Sequence, residues 1–437
     1  MSTGLFLFTS DLRVQDNLAL FEAARHHRHL VLAYVDDDAD RIAGSLQAKP
    51  LGQHRNEFIQ QGLVNLAVEL EEMGQYLVVT HGKLGTQVRN LVSQYQVDTI
   101  YYSRASDFRG QQRLSLLAQQ IPEVVFKGVW QHTLYAAHQL PFDISDIPTS
   151  FSKFRRKLEQ ALPSVLTPQQ LMSLPPPPNE LVKAGITLTD NTSISESFEG
   201  GASAGIRHLA GYFDSDCPKT YKETRNALDE WQSSTKFSPW LAAGCLSPRQ
   251  VYHALKSFEQ ARGENDSTYW IFFELLWREY FHWYALDIGE KLFEFTGVSG
   301  RKPLTTFHAE RLIKWQQGIT PYPLVNAIMH QLNATGYISN RARQIAASAL
   351  VNELSIDWRY GAAYFQQELI DYDTAINWGN WQYVAGVGAD PRGGRHFNLD
   401  KQQQMFDADG EYVSRWFGEH EVGVLDSTDM VDWPSVN

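Results

Sequence analysis

The chain has 437 residues, a length that predicts two domains or one large bilobal unit. Hydrophobic residues make up 43% and charged residues 20%, which excludes global disorder. With 38 Lys and Arg against 50 Asp and Glu the formal charge is -12, which excludes a protein held to nucleic acid by its overall field but leaves room for a local basic groove.

Residues 1 to 135 alternate short apolar runs with amphipathic stretches. Strands are expected at Leu5 to Phe8, Leu30 to Val35, Tyr76 to Val79, Thr99 to Tyr102 and Val124 to Phe126. Between them, Leu18 to His26, Gln53 to Glu72, Thr86 to Tyr95 and Gln111 to Gln120 carry helical spacing. This alternation predicts a doubly wound parallel α/β sheet. After the first strand stands Thr9-Ser10-Asp11 and no G-x-G-x-x-G, so a dinucleotide seated here in the Rossmann manner is not expected. Residues 136 to 205 hold Pro141, Pro148, the run Pro175 to Pro178 and the Ser/Gly-rich Thr192 to Ser203, with one basic helix near Phe154 to Leu162. They read as a connector wrapped across the surface.

From 206 to 437 the pattern is helix upon helix, then a glycine-containing aromatic loop and an acidic tail. Eleven of the twelve tryptophans, all but Trp130, lie beyond residue 230, which marks this half as a different kind of domain, with flat side chains suited to stacking on a cofactor or on bases. No run is long and apolar enough to span a bilayer, and MSTGLFLFTSDLR meets an acid and an arginine after a very short apolar start. Neither a membrane partner nor a signal peptide is expected. Cys217 and Cys245 offer no disulfide framework and no cysteine-rich metal site, and fit a reducing, cytoplasmic location.

Four stretches carry chemistry. Thr235-Lys236-Phe237-Ser238-Pro239 has the hydroxyls and free amides of a helix start, which suit a phosphate but equally a plain capped helix; Ser247-Pro248 repeats the signature with no ligand in view. Glu274, Trp277, Arg278 and Phe281 share one helical stripe, where buried charges need partners or a polar ligand. Arg341 and Arg343, two apart, point to different faces of a helix opened by Asn340 and running to about Asn352. Asp371 to Tyr383 reads as a loop with two acids, two asparagines and four aromatics, a set suited to the edge and faces of a heteroaromatic ring.

On these residues the chain resembles the photolyase/cryptochrome family over nearly its whole length. S-S-T-K-F-S-P-W-L-A-A-G-C-L-S-P-R, F-E-L-L-W-R-E-Y-F, L-N-A-T-G-Y-I-S-N-R-A-R-Q and D-Y-D-T-A-I-N-W-G-N-W-Q-Y stand in the family's order and spacing. Gln344 and Tyr383, with V-G-A-D-P-R-G-G-R, are similar to the DASH branch. The resemblance implies an α/β domain, a connector and a helical FAD-binding domain. It places Tyr221, Thr235, Lys236, Phe237 and Ser238 on the flavin phosphates and ribitol, Arg343 with Asp371 and Arg278 around the ring, Asp373 on its edge, and Asn377 at N5, where a neutral amide can accept a proton's hydrogen bond without adding charge. Glu274, Trp277, Asn340, Gln344 and Tyr383 would line a lesion pocket. Arg225, Arg341 and Arg392 or Arg395 would meet phosphates. Trp381 and Trp358 match the first two members of the family's electron-hopping chain, and Thr305 stands where the third would be. The region Tyr102 to Asp107 lacks the glutamate of related chains, which weakens the expectation of a methenyltetrahydrofolate antenna. Two functions follow from the resemblance: light-driven repair of pyrimidine dimers in single-stranded DNA, or a photoreceptor whose flavin state alters binding of a signalling partner.

Overall fold

A computed structural model describes residues 2–181, 198–388, 394–419 and 423–426. Strand β1 (Thr3–Phe8) is buried throughout, and its side chains alternate between two cores as the period of two requires. Phe6 and Phe8 join Leu30, Leu32 and Tyr101 on one face; Leu5 and Leu7 join Val31, Ala33 and Ile100 on the other. A strand apolar on both faces belongs in a parallel sheet covered on both sides. With β2 (His29–Asp37), β3 (Leu77–Gly82), β4 (Val97–Ser103) and β5 (Val125–Val129) it forms an all-parallel sheet in the order β3-β2-β1-β4-β5. Helices α1 (Leu18–His26) and α2 (Gln53–Glu72) cover the first face, α3 (Leu84–Tyr95) and α4 (Phe108–Gln120) the second. Helix α4 begins three residues before its expected start because Asp107 caps it, accepting from the Gly110 amide at 2.9 Å.

The connector is bound to the sheet domain. Pro176 and Pro177 carbonyls accept from the Leu30 amide at 3.2 Å and the His29 ring at 3.3 Å, and helix α5 (Phe151–Ala161) buries Phe151, Phe154 and Leu158. The first half of the expected Ser/Gly-rich stretch, residues 192–197, lies outside the described residues, as does Arg392.

The second half runs α6 (Ala202–Asp214), α7 (Tyr221–Thr224), α8 (Ser238–Ala242), α9 (Pro248–Arg262), α10 (Asp266–Ile288), α11 (Ala309–Gln317), α12 (Pro323–Thr335), α13 (Asn340–Ser348), α14 (Trp358–Glu368), α15 (Thr374–Ala385), α16 (Leu399–Phe406) and α17 (Glu411–Arg415). Three expectations are corrected here. Residues 371 to 383 are not a loop: Asp373 caps α15 by accepting from the Ile376 amide at 3.2 Å, and burial of Trp378 and Trp381 holds weak helix formers in helix. Ser238 is the first residue of α8 and not its cap, whereas Ser247 caps α9 with Pro248 following and Gln250 completing the capping box. Helix α13 passes into a π-helical turn at Ala349–Glu353 instead of continuing regularly to Asn352.

The halves share one core, since the sheet face under α1 and α2 is continuous with Leu209, Trp240, Leu246, Val251 and Trp283. Polar ties cross the same seam. Asp16 and Arg249, both almost fully buried, pair at 3.0 Å, and Arg13 donates to the Gly244 carbonyl at 2.8 Å. Gly244 has φ +69, and a Cβ there would lie 2.1 Å from the Ser10 carbonyl, so the close approach requires glycine. No helix among the described residues is long and apolar enough to cross a membrane.

Candidate active site

Helix α15 supplies one wall at successive turns, because Asp373, Asn377 and Trp381 are four residues apart. The second carboxylate oxygen of Asp373 faces His282 Nε2 at 3.2 Å and the Arg278 guanidinium at 3.9 Å. Burial alone would push this carboxyl up; His282 and Arg278 beside it overcome that and keep it ionised well below the usual carboxylate range. Burial lowers His282, whose Nδ1 lies 2.7 Å from the Ser106 hydroxyl, against the pull of Asp373, and His132, stacked on it at 6.1 Å, is pushed down to about 3 by burial and by His282. Asn377 commits its amide nitrogen to the Ala362 carbonyl at 2.9 Å, leaving its oxygen as the group available to the site.

Arg343 on α13 faces the same space. It donates to Asp371 at 2.8 Å and to the Ile338 carbonyl at 3.0 Å. The other Asp371 oxygen is buried and meets no hydrogen-bond partner, an atom that calls for a donor from outside the chain. Tyr337 links this pair to the expected phosphate segment: its ring lies 5.4 Å from Arg343 and 5.0 Å from Lys236, and its hydroxyl bonds Ser234 and Ser238. Lys236 sits in left-handed backbone, φ +54, and burial pushes its ammonium down to about 8. Thr235 gives its carbonyl to His208 at 2.8 Å, and Phe237 and Tyr221 are buried beside it.

A cavity of about 280 Å³ opens over this wall, lined by Arg343, Asp371, Asp373, Asn377 and Trp381 and also by Asn340, Gln344 and Tyr383. Arg343, Asp371, Asp373 and Asn377 of the expected cofactor set thus share one space with Asn340, Gln344 and Tyr383 of the expected lesion set, whereas Tyr221, Thr235 to Ser238, Arg278, Glu274 and Trp277 lie outside its lining. Trp277 reaches its edge through Tyr383, with centroids 6.2 Å apart, and stacks on Phe151 at 3.8 Å. Glu274 is paired with Arg225 at 2.6 Å and not with Arg278, and burial pushes its carboxyl up against the pull of that arginine. Arg341 turns away to Asn226 at 3.1 Å and covers the ring of Phe406 at 4.9 Å. Arg395 bonds the Tyr383 hydroxyl. Trp358 does not line the cavity: its ring meets Trp378 at 5.7 Å, while Trp381 meets Phe365 at 5.1 Å and Trp315 at 6.3 Å. Thr305 is half-buried near Trp358's strand-like approach, where Thr306 bridges Ile356.

His132, His282 and Tyr337 were not anticipated. His282 lies four residues after Arg278 on the stripe already singled out, so the spacing contained the signal, whereas His132 and Tyr337 arrive from distant segments. A second cavity, about 420 Å³, lies at the carboxyl ends of β1 and β4, where the strand order reverses, and runs past Ser106, Arg109 and His282 to Asp373. In the turn after β1 the Thr9 amide is already committed, donating to Asp11 at 2.8 Å.

A flat ring fits the first cavity. Its lining brings together the carboxylates of Asp371 and Asp373, the Arg343 guanidinium, the Asn377 amide oxygen and the Trp381 ring. This pocket sits in a helical domain joined to a doubly wound parallel sheet. The comparisons agree: residues 4–178 match the DNA photolyase family and residues 270–425 the FAD binding domain of DNA photolyase. Cryptochrome DASH of Idiomarina loihiensis is 50% identical over 432 residues, covering 99% of this chain and 96% of the relative. The relative of that name in Arabidopsis thaliana is 35% identical, over 94% of this chain and 74% of its own. The crystal structure of Synechocystis cryptochrome superposes with a TM-score of 0.89 at 39% identity, over 95% and 88% of the two chains. A class III photolyase of Agrobacterium tumefaciens gives 0.80 at 28%, over 96% and 87%. The chain belongs to the photolyase/cryptochrome family, on its cryptochrome DASH branch, and is a blue-light flavoprotein whose cofactor is FAD.

Proposed function

We propose that the chain repairs cyclobutane pyrimidine dimers with blue light, in single-stranded DNA in preference to duplex. The observation that carries this reading is one cavity of about 280 Å³ lined by Asp373, Asn377, Trp381 and Tyr383 of α15 and its cap together with Asn340 and Gln344 of α13. FAD, when bound, supplies light absorption and one-electron chemistry. The chain's residues do the rest: Arg343, Asp371 and Asp373 orient the ring, Asn377 holds a neutral acceptor at its edge, and Lys236, with the hydroxyls of Thr235 and Ser238, meets phosphate.

Glu274, half-buried and paired with Arg225, would exchange that partner for a hydrogen bond to the dimer. Trp277 and Tyr383 would form the aromatic wall. Arg225, Arg341 and Arg395, each engaged within the chain, would exchange those partners for phosphates of the strand.

The strand preference has a physical basis. Extracting a dimer from duplex costs a few kcal/mol of stacking and pairing, which an aromatic wall returns at about 1 to 3 kcal/mol per base. Tyrosine at 383 offers less stacking area than tryptophan, and the net charge of -12 weakens attraction to a duplex. The test is the ratio of repair rates for one lesion in both forms at matched salt. Faster single-strand repair is expected, with Tyr383→Trp narrowing the gap; equal rates remove the preference, and photoreduction without any repair replaces the enzyme by a light sensor.

A further inference from the structure

Trp381 is the indole that borders the flavin cavity, and when it gives up an electron it must be refilled from a neighbouring ring. Its ring neighbours are Phe365 at 5.1 Å and Trp315 at 6.3 Å, at 75° to it. A phenyl ring is far harder to oxidise than an indole, so Trp315 is the neighbour that can act. Trp358 is not among the rings that Trp381 meets. Beyond it, Thr305 cannot be oxidised, and the ring that Trp358 does meet, Trp378, lies 5.1 Å beneath the Arg109 guanidinium, which raises the energy of positive charge on that indole.

Trp315, like Trp358 with its N–H on the Phe295 carbonyl at 3.1 Å, has a backbone acceptor, and it differs in the oxidisable ring that adjoins it. Its N–H donates to the Ala346 carbonyl at 3.1 Å, a dipole whose negative end favours positive charge on the ring, and among the described residues no guanidinium or ammonium covers its face. It touches a second oxidisable ring: Tyr364 at 5.7 Å and 65°, half-buried, its hydroxyl donating to Asn333 Oδ1 at 2.7 Å.

We propose that Trp315 and Tyr364 are the exit through which Trp381 is refilled, in place of the donor that position 305 lacks; this rests on the flavin reading above. An electron passes from Trp315 to Trp381 and leaves positive charge on Trp315. A second transfer, from Tyr364, refills Trp315, and the phenolic proton leaves to bulk water, so a neutral tyrosyl radical remains. An external thiol then donates one hydrogen atom, which restores the phenol and leaves a thiyl radical. The net change is one electron delivered to Trp381 and one proton released.

The experiment uses the FAD-loaded full chain under blue light. Without thiol, the paramagnetic resonance spectrum is expected to show a tyrosyl radical that disappears in Tyr364→Phe and in Trp315→Phe. With dithiothreitol, Trp315→Phe is expected to slow bleaching of the flavin band by about tenfold at unchanged FAD content. Because Trp315 is fully buried, Tyr364→Phe decides alone if the tryptophan variant loses FAD. A wild-type chain without the tyrosyl signal, or a signal that persists in Tyr364→Phe, overturns the proposal. A chain that binds no FAD overturns the flavin reading with it, whereas an FAD-loaded chain indifferent to both substitutions overturns this exit only.

Discussion

At residue 377 the side chain stands one helical turn from an ionised Asp373 and offers an uncharged oxygen to the cavity. Charge is therefore the property to vary. Asn377→Asp places a second acid in a buried site, where it either stays protonated or opposes added electron density on the ring. The expected outcome is a fall in the FAD midpoint potential of about 60 mV or more, equivalent to about 1.4 kcal/mol, read by redox titration; an unchanged potential removes Asn377 from this role. The residue types were legible before the fold, because paired acids, asparagines and aromatics between 371 and 383 point to a heteroaromatic partner by chemistry alone. Their pairings were not. Nothing in the spacing joins Glu274 to Arg225, 49 positions away, and the pair forms because α10 packs across α7.

At the scale of elements, α14 crosses α15 at Gly361. A Cβ on Gly361 would lie 2.2 Å from the Trp381 ring, so the crossing depends on a missing side chain. Gly361→Ala is expected to cost about 1 to 3 kcal/mol by overpacking and to push Trp381 into the cavity, read as a lower denaturant midpoint together with weaker FAD binding. Helix α10 carries a second test. Glu279 is fully buried, accepts from Trp283 Nε1 and the Leu134 amide, each at 2.7 Å, and is pushed up to about 7 by burial. The folded chain therefore holds this proton between about pH 4.5 and 7 where the unfolded chain has lost it. Stability from this group is full below that window and falls as pH rises through it. Glu279→Gln is expected to flatten that fall in melting curves taken across the window. Periodicity had placed α10 correctly, because its aromatic stripe is long and regular. It had missed α15, because asparagine, tryptophan and glycine are poor helix formers and only burial and the Asp373 cap hold them in helix.

At the scale of the whole molecule, the two halves are joined by a shared core and by the Asp16–Arg249 pair, whose side chains are 0% and 4% exposed. Removing one partner of a buried pair leaves the other charge without compensation. Arg249→Leu is expected to destabilise the chain by about 3 to 5 kcal/mol and to release FAD as the halves separate, measured by calorimetry with flavin fluorescence; two independent transitions in the wild-type chain would contradict the shared core.

What the sequence determined by itself was local. The strand-helix alternation of residues 1 to 135 set the parallel sheet, because periods of 2 and 3.6 are written in short windows, and motif chemistry pointed to a flavin. The tertiary structure alone decided how the charges are used: Asp371 keeps an oxygen without a partner, Asp373 is held between Arg278 and His282, and Trp381 meets Trp315 while Trp358 meets Trp378. Each of these depends on segments tens to hundreds of residues apart being brought within a few ångströms, and burial, not sequence neighbourhood, fixes the dielectric and the partners that set a buried group's charge.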